Sequence, residues 1–208
     1  MNIAFKYARY NPETSLQYDQ NTVTTPVSGF FTFHYSKRTT HYFHLKDIPM
    51  NNNDILRRIR YIFDFSDSKM MAVFDLAGDP ATREQISDWL KKDDDPAYRN
   101  CTDRQLAIFL NGLITDKRGK KEGPQPDPER QLNNNIIFRK LKIALNLKAE
   151  NILEIMTTAD LQMSKHELSA FFRRPGHKNY RVCNDQILRK FLQGVQLQYR
   201  TKRVDFIK

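Results

Sequence analysis

Two stretches of this chain carry the side chains best suited to holding phosphate. Residues 91–101 read KKDDDPAYRNC and residues 173–183 read RRPGHKNYRVC. Each opens on paired cations, Lys91 and Lys92 or Arg173 and Arg174. Each closes on Tyr-Arg-x-Cys, with Tyr98, Arg99 and Cys101 matched by Tyr180, Arg181 and Cys183. Guanidinium and ammonium groups contact phosphate oxygens, and tyrosine rings stack on bases. Asp93, Asp94 and Asp95 fill the middle of the first stretch, whereas a Pro-Gly turn with His177 and Lys178 fills the second. The expected ligand contacts are therefore Arg173, Arg174, Lys178, Tyr180 and Arg181, with Lys91, Lys92, Tyr98 and Arg99 as their counterparts. A plainer reading of the same residues has the Tyr packing and the Arg pairing with a neighbouring acid. An electrostatic one pairs the acidic stretch with the basic stretch, in this chain or in another.

Two asparagine runs stand out next: Asn51, Asn52 and Asn53, then Asn133, Asn134 and Asn135. One Asn per run suits a helix cap, because its side-chain oxygen accepts an orphan amide hydrogen bond. Three together would offer a polar surface of amide donors and acceptors, the groups that read base edges. Capping with loop ordering is the simpler account. Cys101 and Cys183 fall just before a helix start, where an apolar side chain staples onto the first turn. Free Cys is among the most buried residue types, so core packing is expected rather than nucleophilic chemistry. No CxxC, HExxH, GxSxG or Gly-rich phosphate loop occurs. The His residues lack the further ligands that a zinc site requires. No catalytic residue, metal or cofactor is expected, and the chain reads as a protein that is not an enzyme.

The elements that must position these residues come from a duplication. Displaced by 82 positions, residues 51–119 fall on residues 133–201 without a gap, and 16 of the 69 pairs are identical. That makes a tandem repeat the starting point for the fold. Each copy reads as four helices. Ile55, Leu56, Ile59, Ile62 and Phe63 form one apolar helical stripe, answered by Ile137, Phe138, Leu141, Ala144 and Leu145. Thr82 with Gln85, and Ser164 with Glu167, are capping boxes that open the third helix. The fourth begins near Thr102 and Asn184. The expected fold class is all-α: two tandem four-helix repeats packed about a pseudo-two-fold axis. Gly112 and Gly194 sit inside the fourth helices, where each costs about 1 kcal/mol against Ala. Retention in both copies predicts a close backbone approach, expected where the two fourth helices cross.

The domain reading follows. Residues 1–49 have no helical period and form an irregular extension; the functional protein is expected to begin at Met50. Residues 50–119 are repeat 1, residues 120–132 a Pro-rich linker, residues 133–201 repeat 2, and residues 202–208 a basic tail. KEGPQPDPER at 121–130 holds three Pro, which cannot continue a helix. The net charge of +10 is unevenly spread. Residues 51–119 carry 11 basic and 12 acidic residues, a net of −1, whereas residues 133–208 carry 15 and 6, a net of +9. Such a surface favours phosphates or acidic partners through a salt-screened field, or is simply a solvated helical face.

No apolar run approaches the roughly 18 residues that span a bilayer, so no membrane partner is expected. No charged-then-apolar leader opens the chain, and two Cys do not make a disulfide scaffold. A cytoplasmic setting is the expectation.

NNNDILRRIRY, WLKKDDDPAY, FLNGLI followed by KRG, EGPQPDPER, LNNNIIFRKLKIALNL and SKHELSAFFRRPGHKNYRVCNDQILRKFLQGV, taken together, resemble the YehS-like family of uncharacterised bacterial proteins. The resemblance covers residues 50 to about 200. It implies two copies of a helical domain and a bacterial cytoplasmic setting, and it supplies no catalytic residue. The leading expectation is a non-enzymatic binding protein that takes nucleic acid on its basic second repeat. The rival is a protein-interaction or adaptor module that self-associates, or meets an acidic protein surface, through its charged loops.

Overall fold

A computed structural model describes residues 49–205. Among these residues there are eight helices and no strand. Repeat 1 holds α1 (Asn52–Phe63), α2 (Asp67–Asp75), α3 (Arg83–Leu90) and α4 (Asp103–Arg118). Repeat 2 holds α5 (Asn134–Ala144), α6 (Ala149–Thr158), α7 (Lys165–Ala170) and α8 (Asp185–Asp205). The expected all-α pair of four-helix repeats is the fold observed. The expectation for residues 1–49 falls almost wholly outside the described residues. α8 continues to Asp205, into the stretch read as a basic tail from residue 202. Its later turns are held by the other repeat: Tyr199 stacks edge-on against Phe63 of α1 at 5.3 Å, and the Arg200 guanidinium lies 3.7 Å from the centre of the Tyr61 ring.

Local chemistry starts most helices. Thr82, Thr102 and Ser164 each accept a backbone N–H three residues on, and Gln85, Gln105 and Glu167 reach back to close the box. Asn184 accepts from Ile187 N at 2.9 Å in the same way. The linker leaves α4 at Gly119, runs without helix, and rejoins at Leu132.

The asparagine runs are scaffold, which corrects the reading of them as a polar surface. Each Asn has its own task. Asn51 and Asn133 cap α1 and α5. Asn52 Nδ2 donates to Asp103 Oδ1 at 2.8 Å, and Asn134 Nδ2 to Asp185 Oδ1 at 2.6 Å. Asn53 and Asn135 are buried and fully used. Asn53 donates to Trp89 O and Arg99 O and accepts from Cys101 N at 2.8–3.0 Å. Asn135 makes the same three bonds with Phe171 O, Arg181 O and Cys183 N. One amide thus clamps the end of the third helix to the segment entering the fourth. Buried amides require such partners.

The repeats embrace each other. α4 packs along α5, and α8 packs along α1. This reciprocity is the expected pseudo-two-fold relation. The same two carboxylates secure it: Asp103 Oδ2 accepts Leu132 N at 2.8 Å and Asp185 Oδ2 accepts Met50 N at 3.0 Å. Each Asp therefore holds an Asn of its own repeat and the backbone entering the other. Inside each repeat one fully buried Phe is central, but not at the same station. Phe74 of α2 meets Trp89 and Phe109, whereas Phe138 of α5 meets Phe171 and Phe191. Leu56 and Phe74 correspond to Phe138 and Met156, so the large ring moves from the second helix of repeat 1 to the first helix of repeat 2 while core volume is roughly kept.

Gly112 and Gly194 do mark close approaches, but the expected crossing of the two fourth helices is not where they lie. A Cβ on Gly112 would fall on the Val73 carbonyl of α2, and one on Gly194 on the Ile155 carbonyl of α6. The glycines let each repeat's second helix press backbone-to-backbone onto its own fourth.

Candidate nucleic-acid interface

On repeat 1 five cations meet acids. Arg57 Nη2 lies 2.7 Å from Asp54 Oδ1 and 3.3 Å from Asp93 Oδ1. Burial alone would depress its pKa, yet these two carboxylates hold it above the ordinary Arg value. Arg60 Nη2 lies 2.7 Å from Asp67 Oδ1, and Arg83 Nη1 3.9 Å from Asp67 Oδ2. The Asp67 Oδ1 contact is off the hydrogen-bonding angle, so it is an ion pair rather than a hydrogen bond. Lys91 Nζ sits 2.7 Å from Asp88. Arg200, reaching across from α8, lies 3.9 Å from Asp64.

Repeat 2 keeps the cations and lacks those acids. Arg57, Arg60, Arg83, Lys91 and Arg200 correspond to Arg139, Lys142, Lys165, Arg173 and, with the repeats exchanged, Arg118. Asp54, Asp64, Asp67, Asp88 and Asp93 correspond to Ile136, Asn146, Ala149, Ala170 and Pro175. Of the five cations only Lys165 has an ion pair among the described residues, with Glu150 at 2.6 Å. Arg139 donates to the Phe172 carbonyl at 3.1 Å.

These cations surround two hollows that share Lys142 and Phe172 in their lining. One, of about 310 Å³, is lined by Lys142, Lys165 and Arg173 over Ala149, Ile152 and Leu168. The other, of about 400 Å³, is lined by Arg118, Arg139, Lys142, Ile143 and Asn146. Lys142 Nζ stands 4.7 Å from the centre of the Phe172 ring. Low-dielectric walls between like charges concentrate the field that draws anions.

The expected contact residues divide. Arg173 joins the hollow, and its Nη1 lies 3.1 Å from His177 Nε2. Arg174, Lys178 and Arg181 are exposed along the turn of the α7–α8 loop, where Gly176 adopts φ +86°. Tyr180 is half-buried. In the other loop Lys91 is paired, Lys92 is exposed, and Tyr98 is half-buried with its hydroxyl donating to Asn100. Arg99 turns back to the Tyr98 carbonyl at 3.0 Å. Among the described residues no hydrogen bond or ion pair joins the two loops. Arg118, Arg139, Lys142 and Lys165 were not singled out from the sequence. The signal that finds them is that acids of repeat 1, such as Asp54, Asp64 and Asp67, have the uncharged counterparts Ile136, Asn146 and Ala149 in repeat 2.

Both thiols are buried, as expected for core packing. Desolvation, then the nearby Asp103 or Asp185, pushes their pKa values up to about 12, so neither supplies a thiolate near neutral pH. Among the described residues no three His, Cys, Asp or Glu side chains are placed to hold a metal ion. Nor is any helix among them long and apolar enough to cross a membrane.

Fold and surface together define a duplicated all-α protein with one charge-neutral repeat and one basic repeat. The family model described as "Protein of unknown function (DUF1456)" matches residues 52–119 and again residues 134–201, at the same offset of 82. The chain belongs to this family. It is 44% identical over 155 residues to "Uncharacterized protein YehS" of Escherichia coli strain K12, which covers 74% of this chain and 99% of that protein. No solved structure matches the chain.

Proposed function

We propose that this is a cytoplasmic, non-enzymatic binding protein whose ligand is nucleic acid, held on the basic face of repeat 2. The observation that carries the reading is the one-sided loss of acids. Five positions that neutralise cations in repeat 1 are apolar or uncharged in repeat 2, while every matching cation is kept. A scaffold needs no such surplus, whereas phosphate binding does. Arg118, Arg139, Lys142 and Arg173 make the concave part of the face. Arg174, Lys178 and Arg181 extend it along the loop, with Tyr180 beside them.

A titration of the full chain with single- and double-stranded DNA and RNA at two salt concentrations tests this. Binding is expected to weaken steeply with salt. Arg173→Ala, Arg174→Ala and Arg181→Ala together should lower affinity by about ten-fold or more at low salt without altering the melting curve. No binding at low salt would remove the reading. The rival, self-association through charged loops, draws support from Asp94, exposed in repeat 1 opposite in sign to exposed Arg174 and Lys178. It predicts salt-sensitive dimers in sedimentation without any nucleic acid.

A further inference from the structure

We propose that the hollow between α5, α6 and α7 is a nucleotide-phosphate pocket, for which repeat 1 carries its own stand-in anion. At the equivalent station of repeat 1, the Asp67 carboxylate lies between Arg60 and Arg83. In repeat 2 those cations are Lys142 and Lys165, and Ala149 stands where the acid was. Both cations line the hollow, and Arg173 adds a third. Arg173 also keeps its Nε buried with no hydrogen-bond partner. The frame that holds an anion in repeat 1 is thus present in repeat 2 without a carboxylate at that station. Glu150 does reach Lys165, but both side chains are largely exposed, at 59% and 70%. A pair so placed is weak and readily exchanged for a better anion.

Size and lining describe the rest of the ligand. At about 310 Å³ the hollow is roomier than a phosphate group needs, and Ile152, Leu168 and Phe172 give it apolar walls. An anion attached to a flat, weakly polar group suits it: phosphate on the cations, base against the walls. The proposal rests on the nucleic-acid reading only for the source of that group. A unit of a single strand and a free mononucleotide present the same chemistry.

The test titrates the full chain at low salt with adenosine monophosphate and, separately, with a single-stranded oligonucleotide. Wild type is compared with Ala149→Asp and with Gln193→Glu. Ala149→Asp places in repeat 2 the acid that repeat 1 already accommodates, so the fold should stand, as a melting curve checks. Gln193→Glu makes the same charge change on an exposed position of α8. Ala149→Asp should weaken one or both probes by about ten-fold, and Gln193→Glu by less than about two-fold. Should Ala149→Asp melt early, Lys142→Gln serves in its place with the same expectation. Loss confined to the mononucleotide identifies a free nucleotide as the source, and loss with the oligonucleotide identifies a strand. Equal responses to the two variants, or no binding of either probe, overturn the pocket. Oligonucleotide binding that ignores Ala149→Asp but falls in the triple Arg variant leaves the proposed function standing without it. Mononucleotide binding lost in Ala149→Asp, with no oligonucleotide bound by wild type, does the reverse.

Discussion

Repeat 1 holds Arg57, Arg60, Arg83 and Lys91 against Asp54, Asp67, Asp88 and Asp93, whereas repeat 2 sets Arg139, Lys142, Lys165 and Arg173 at the same stations with Glu150 as their one acid among the described residues. Beneath this difference the two are alike to the level of single hydrogen bonds. Asn53 and Asn135 make the same three contacts, and Asp103 and Asp185 the same two. Even the shift of a Phe from the second helix to the first leaves an aromatic centre in both cores. What both copies share is therefore what the fold needs, and what they do not share is where function is to be sought. The difference is almost wholly one of carboxylates.

The shared part should break equally in both halves. Asn53→Ala and Asn135→Ala each leave two carbonyls and one N–H unsatisfied in the interior, at a cost of about 4 kcal/mol in denaturant unfolding. Gly112→Ala and Gly194→Ala force α2 or α6 away from a backbone contact. The gain in helix propensity offsets part of this, and a loss of about 2 kcal/mol is expected. Losses that differ between the two halves by more than about 1 kcal/mol would mean that the scaffold is not equivalent after all. The unshared part gives the smallest effect and the sharpest contrast. Asp67→Ala frees Arg60 and Arg83 and makes repeat 1 resemble repeat 2 in charge. Nucleic-acid affinity at low salt should rise about two- to three-fold, with less than about 1 kcal/mol of stability lost from a partly exposed pair. A fall in affinity would argue against charge as what sets the repeats apart.

Much of this architecture is legible in the residues because its causes are local or repeated. The offset of 82, the apolar stripes and the Thr82, Thr102 and Ser164 caps all act within a few positions or recur in register. The functions of Asn53 and Gly112 are not legible, because their partners lie elsewhere along the chain: Trp89, Arg99 and Cys101 for one, Val73 for the other. Capping explains one Asn per run, and only the folded chain shows why three are used. The glycine signal was sound, but its partner helix belongs to the same repeat. For the candidate site, Arg173, Arg174, Lys178 and Arg181 stand out by their loop, while Arg118 and Lys142 do not. Those two lie on helices among other cations, and their meaning rests on Asp64 and Asp67 having no carboxylate counterpart in repeat 2.

The exchange of helices between repeats also orders events during synthesis. α1 leaves the ribosome first of the described helices and its packing partner α8 last of them, and the bond from Met50 N to Asp185 spans 135 positions. Repeat 1 can assemble α2, α3 and α4 early, but one flank of α1 stays uncovered until α8 has emerged. Contacts of such long separation form slowly and leave apolar surface open to other chains meanwhile. A nascent chain stalled before α8 should therefore be caught by chaperones or by its neighbours, and the same contact, made between two chains rather than within one, would yield a swapped dimer.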